Sequence, residues 1–251
     1  MSREARLLAV RAKVAAVAGG PLGAGVLAFG DARIDRCLPG GGLPLGRWHE
    51  AAGEGLDIET AAAASAFVAA LAGPLARRGA VVWVMRRDDL YAPGLADLSF
   101  PAERLIQVHV RDEAQALAAV EDALGTAGVA AAIGEAQDID LTGGRRLQLA
   151  CERYGATGFV IRRRPFGGQA KRAASGSAAA TRWMIAPASS EPGQGEPGLG
   201  LPRWRVDLQR CRGGWPGRWI VEKNDGPYPL RVVADLGDRQ LETPQSLRLA
   251  G

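Results

Sequence analysis

The sequence is poor in the side chains that most often bind metals or catalyse reactions. Of 251 residues only two are histidine, His49 and His109, and three are cysteine, Cys37, Cys151 and Cys211. The cysteines are odd in number, far apart and without a C-x-x-C pair, which argues against both a disulfide framework and a zinc-ligand spacing. Neither histidine has a second ligand near it, so both read as structural and no metal is expected. G-x-S-x-G and a Cys–His constellation are also missing, so those hydrolase classes find no support. Aromatic residues are only 6% of the chain, leaving Ala, Val and Leu to fill the core. No run approaches the roughly 20 apolar residues of a membrane span. Arg11 and Lys13 interrupt the apolar stretch near the N-terminus, so a signal peptide is not expected either. The expectation is a soluble cytoplasmic protein with no membrane partner.

What is present fits a globular chain: 47% hydrophobic and 23% charged residues. The net charge of +4 is unevenly spread. Residues 162 to 182 carry Arg162, Arg163, Arg164, Lys171, Arg172 and Arg182 and no acid. Such a block is either a solvated face or a surface for an anionic partner such as nucleic acid.

Leu7, Val10, Val14 and Val17 recur at helical spacing over residues 3 to 17, and Gly19-Gly20-Pro21 ends that amphipathic helix. The expected organisation is this helix within residues 1–20, a core over 30–235 and a tail over 236–251. In the core, strand signals at 47–53, 80–85, 105–110, 129–133 and 158–161 alternate with helix signals at 59–75, 113–124 and 145–154. The first of these helices should stop near Gly73-Pro74. Strands separated by helices of that length argue for a parallel sheet with right-handed crossovers. Beyond residue 165 the runs TRWMIAP, RWRVDLQRC and GRWIVEK follow one another without a helix. They predict an antiparallel extension on the C-terminal side.

The stretch GDARIDRCLPGGGLPLGRWHEAAGEG (30–55) resembles the entry into a RecA-type ATPase core. Gly41, Gly42, Leu43, Pro44, Gly46 and Arg47 match its turn, and Glu50 and Gly53 match the strand leading to the P-loop. With the run RRLQLACERYGATGFVIRR and the basic, Ala/Leu-rich character, the chain is similar to the ImuA family. These are RecA-like accessory proteins of the bacterial damage-induced mutagenesis cassette. The resemblance implies a RecA-like core and the RecA recombinase and ImuB as partners, with an error-prone polymerase engaged indirectly.

A phosphate-binding loop of the form G-x-x-x-x-G-K-[ST] needs a second Gly for its backbone shape and a Lys for the phosphate charge. Counted from Gly53, those two positions hold Ile58 and Glu59, while Thr60 keeps the hydroxyl. The water-polarising carboxylate aligns with Arg87, beside Asp88 and Asp89. In the late motif Lys223 matches the first lysine and Asp225 replaces the second, while Glu135 remains where a metal-binding acid would end its strand. The chain is therefore expected to be no enzyme and to hold no cofactor. The resemblance also places a DNA-lining loop after GFVIR. Here that loop is basic, and Arg162, Arg163, Arg164, Phe166, Lys171 and Arg172 are its candidates for single-stranded DNA or a protein partner. Leu7, Val10, Val14 and Val17 are the candidate protein-docking stripe. A SulA-like cell-division inhibitor and a divergent ATP-dependent recombinase are the alternatives.

Overall fold

The computed structural model describes residues 25–163, 177–193, 195, 197–224 and 226–236. A short ladder pairs β1 (Val26–Leu27) with β2 (Leu43–Pro44), flanking α1 (Ala32–Asp35). Then come β3 (Trp48–Gly53), α2 (Asp57–Ala76), β4 (Ala80–Met85), two 3-10 turns (Ala92–Leu98 and Ala102–Arg104) and β5 (Leu105–His109). These are followed by α3 (Glu113–Leu124), β6 (Val129–Ala136), α4 (Leu141–Tyr154) and β7 (Thr157–Arg162). The last described elements are β8 (Thr181–Ala188), β9 (Arg203–Cys211), β10 (Gly217–Lys223) and β11 (Leu230–Asp235).

Among the described residues nine strands form one sheet in the order β11-β10-β9-β8-β3-β7-β6-β4-β5. The run from β8 to β5 is parallel, and β9, β10 and β11 continue it antiparallel. The α/β fold with its C-terminal antiparallel extension is thus as expected. The N-terminal helix, the stripe Leu7, Val10, Val14 and Val17, and residues 237–251 lie outside the described residues.

Strand alternation divides the core into two layers. In β4, Val81, Trp83 and Met85 join Phe67, Leu71, Phe159 and Trp183 beneath α2, while Val82 and Val84 meet Val120, Leu124 and Leu147 of α3 and α4. The most apolar window of α2 is 61% buried, which makes it a core helix despite a length and hydropathy sufficient to cross a membrane.

Three local expectations are corrected. First, α2 runs through Gly73-Pro74 to Ala76. A Cβ on Gly73 would stand 3.1 Å from the Ser99 carbonyl oxygen, so close packing here favours glycine, and Pro74 falls in the last turn, where little helix is left to break. Second, α4 begins at Leu141 instead of Arg145, because the Asp140 carboxylate caps the Gly143 amide at 2.6 Å. Third, β11 completes the sheet beyond the last anticipated strand.

Candidate functional site

In parallel α/β sheets the residues best placed to meet a ligand lie beyond the carboxyl ends of the strands, where the connections diverge. Here that point is β3, which lies between β7 and β8. The link from β3 to α2 is only Glu54-Gly55-Leu56, and Gly55 takes a positive φ of 106° to turn the chain. The Glu54 amide donates to the Ile185 carbonyl at 2.8 Å, and the Glu59 and Thr60 amides donate to the Leu56 carbonyl at 3.0 and 3.2 Å. The Thr60 hydroxyl also donates to Leu56 O, at 3.0 Å. A Cβ on Gly53 would lie 2.1 Å from that hydroxyl oxygen, so the loop is drawn tightly over the helix start. Ile58 points outward with 93% of its surface exposed, and Glu59 is exposed beside it.

The crevice next to this turn is filled by Arg163, the residue after β7. Its guanidinium makes two parallel contacts to Asp89, at 3.0 and 2.7 Å, and reaches Glu135 Oε1 at 3.0 Å and Asp57 Oδ2 at 3.4 Å. The Arg163 and Glu135 side chains are only 8% and 3% exposed. Burial works against the charge on Arg163, but the Asp89 hydrogen bonds and the Glu135, Asp89 and Asp57 charges outweigh it and hold its pKa above the usual value. Arg163 in turn lowers the pKa of Asp89. Burial raises that of Glu135, and Arg163 offsets the rise only in part. Arg163 Nε makes no hydrogen bond, so even this cluster leaves a buried donor unmatched, while the Trp83 indole helps to hold the Glu135 charge.

A second ionic cluster lies on the other side of the strand end. Glu50 of β3, 4% exposed, accepts from Arg162 Nη1 at 3.2 Å, Arg182 Nε at 3.1 Å and the Ser177 hydroxyl at 2.9 Å. Arg162 also donates to Asp138 and to the Gln137 carbonyl. Both backbone amides of Gln137 and Asp138 are held by Glu113 Oε1, at 2.7 and 2.8 Å. Adjacent strand positions point to opposite faces, which is why Arg162 and Arg163 serve different clusters.

Three arginines of the basic block therefore face acids from distant parts of the chain. Arg162 and Arg163 point inward, while Arg164, Phe166, Lys171 and Arg172 lie outside the described residues, as does Asp225. Lys223 ends β10, its amide donating to the Pro202 carbonyl at 3.0 Å. The structure brings Asp89, Glu135 and Arg163 together, and adds Asp57 and Glu50 as ion-pair partners. Acids at strand ends are visible in sequence, but their pairing spans 28 to 132 positions and no local signal reports it. Among the described residues no group of three or more His, Cys, Asp or Glu is arranged to hold a metal ion.

No protein-family profile matches the sequence. Two relatives do, each called Protein ImuA, from Caulobacter vibrioides strains NA1000 / CB15N and ATCC 19089 / CIP 103742 / CB 15. Each is 56% identical over 234 residues, covering 90% of this chain and 96% of the relative. Identity at that level over nearly the full length of both proteins is shared descent, and the chain belongs to the ImuA family.

Proposed function

We propose that this chain is a non-catalytic, RecA-like adaptor of SOS-induced mutagenesis. In this reading it joins the RecA recombinase to ImuB, and through ImuB to an error-prone polymerase, during translesion DNA synthesis. The observation that carries the non-catalytic part is the Arg163 cluster. A triphosphate site needs free backbone amides, a cation facing the phosphates and a hydroxyl free for the metal. Here the amides of Glu54, Glu59 and Thr60 and the Thr60 hydroxyl are all bonded to backbone carbonyls. Glu59 stands in the position of the lysine. Of the cations beside the turn, Arg163 is neutralised by three carboxylates of this chain and Arg205 is paired with Glu54. A phosphate entering the crevice would have to displace them, with like charge opposing it throughout.

Single-stranded DNA is a further partner in this reading. With Arg162 and Arg163 turned inward, contact with phosphates falls to Arg164, Lys171 and Arg172, with Phe166 available to stack on a base.

Calorimetry with Mg²⁺-ATP tests the first part: no binding heat is expected, and micromolar affinity would overturn it. Pull-downs with recombinase and ImuB as separate baits test the adaptor. Retention on both is expected, and retention on neither would end that reading.

A further inference from the structure

The two edges of the sheet are treated differently. At one edge α1 lies against β11, its Arg33 donating to the Val232 carbonyl at 2.7 Å. At the other, β5 pairs with β4 on its inner side and with no other strand among the described residues. Its sequence, Leu105-Ile106-Gln107-Val108-His109, has no proline, no lysine and no bulge, the devices that usually protect an open edge. Val108 is tucked against the α3 side of the core, but Ile106 on the same face is 50% exposed.

We propose that β5 pairs antiparallel with β5 of a second copy of this chain, about a two-fold axis at Gln107. The hydrogen-bonding phase permits it. The Val110 amide bonds inward to the Met85 carbonyl at 3.0 Å, so alternation turns the backbone groups of Leu105, Gln107 and His109 outward. In this register Gln107 meets Gln107, and Leu105 meets His109, as hydrogen-bonded pairs. Ile106 meets Val108 of the second copy in the closer, non-hydrogen-bonded pairing, which covers the apolar surface now open to water. Past the two ends of β5, Glu103 sits in the turn Ala102–Arg104 and Arg111 follows the strand, so the two-fold brings Glu103 of each copy to the same end as Arg111 of the other. Both are exposed and neither has an ion-pair partner among the described residues. The segment from Glu103 to Arg111 is thus self-complementary in charge and in apolar pairing, as a two-fold interface requires. A five-residue strand buries less than the roughly 1,200 Å² of a standard stable interface, so the dimer is weak and concentration-dependent.

Sedimentation of the full chain over a concentration series tests this. The mass is expected to rise from monomer to dimer, and Ile106→Lys should halve it at the concentrated end while leaving the thermal transition in place. Glu103→Arg alone should weaken the dimer, and adding Arg111→Glu should restore it, since each swapped charge again faces its opposite. A monomer at every soluble concentration overturns the proposal. A dimer indifferent to Ile106→Lys, or one not restored by the double swap, overturns it equally.

Discussion

Replacing Arg163 by methionine keeps most of the side-chain volume but removes the cation that Glu135, Asp89 and Asp57 share. Glu135 is then a carboxylate at 3% exposure with no counter-charge. Removing one partner of a buried ion pair costs about 3–5 kcal/mol, because the stranded charge keeps its desolvation penalty. For a domain of this size each kcal/mol moves Tm by about 2–4 °C, so the melting point should fall by roughly 6–20 °C. The pH dependence gives a sharper test. Burial already raises the pKa of Glu135, and without Arg163 it rises further. A carboxyl whose folded pKa lies above its unfolded one favours folding only when protonated, so its contribution is lost as pH rises through the folded pKa. Asp89 acts in the same sense. Its pKa is lowered by Arg163 in the parent, which therefore carries stability above the ordinary carboxylate pKa that is lost as pH falls through the lowered one. The deficit of Arg163→Met should thus be largest near neutrality and shrink on acidification. Adding Glu135→Gln should recover part of it. Urea denaturation at several pH values measures this. A deficit below about 1 kcal/mol, a deficit independent of pH, or further loss on adding Glu135→Gln would refute the reasoning.

His49 is buried, its Nδ1 accepting from the Thr181 hydroxyl at 2.8 Å and its Nε2 donating to the Pro44 carbonyl at 2.9 Å, and burial lowers its pKa to about 4. A depressed histidine stabilises the fold above its unfolded pKa of 6.5 and loses that contribution as pH falls toward 4. Up to about 3 kcal/mol should therefore disappear over that window, read as the pH-dependent difference between the parent and His49→Gln in denaturant titrations. Gly134→Ala should destabilise by about 1–3 kcal/mol through overpacking, since its Cβ would stand 2.4 Å from a Val120 methyl, and Val120→Ala should relieve it. Single-stranded DNA affinity should fall with salt, and neutralising Arg164, Lys171 and Arg172 should flatten log K against log salt by about 0.7 per lost contact. An unchanged slope would remove DNA from the proposed partners. Ile58→Gly with Glu59→Lys should still show no Mg²⁺-ATP binding in calorimetry, because Arg163 and its carboxylates continue to fill the crevice.

The order of elements was legible because each rests on local pattern. The apolar run at Ala80–Met85, the stripe through α3 and the helix-less succession of β8, β9 and β10 all carry their period in adjacent residues. The substitutions at Ile58 and Glu59 are likewise read directly from the chain. Local pattern was weaker where packing competed with it: Gly73-Pro74 looks like a stop, yet α2 passes through it against the backbone of Ser99 and Phe100. The direction of a long basic side chain was decided only by the tertiary structure. Six cations without an acid between residues 162 and 182 describe a charged surface if neighbours in sequence are the only neighbours. Folding brings Glu50, Asp57, Asp89, Glu135 and Asp138 to the same strand ends, and Arg162, Arg163 and Arg182 turn toward them. Helical and strand periods report which face a residue takes, whereas ion pairing depends on which strand ends the sheet order sets side by side.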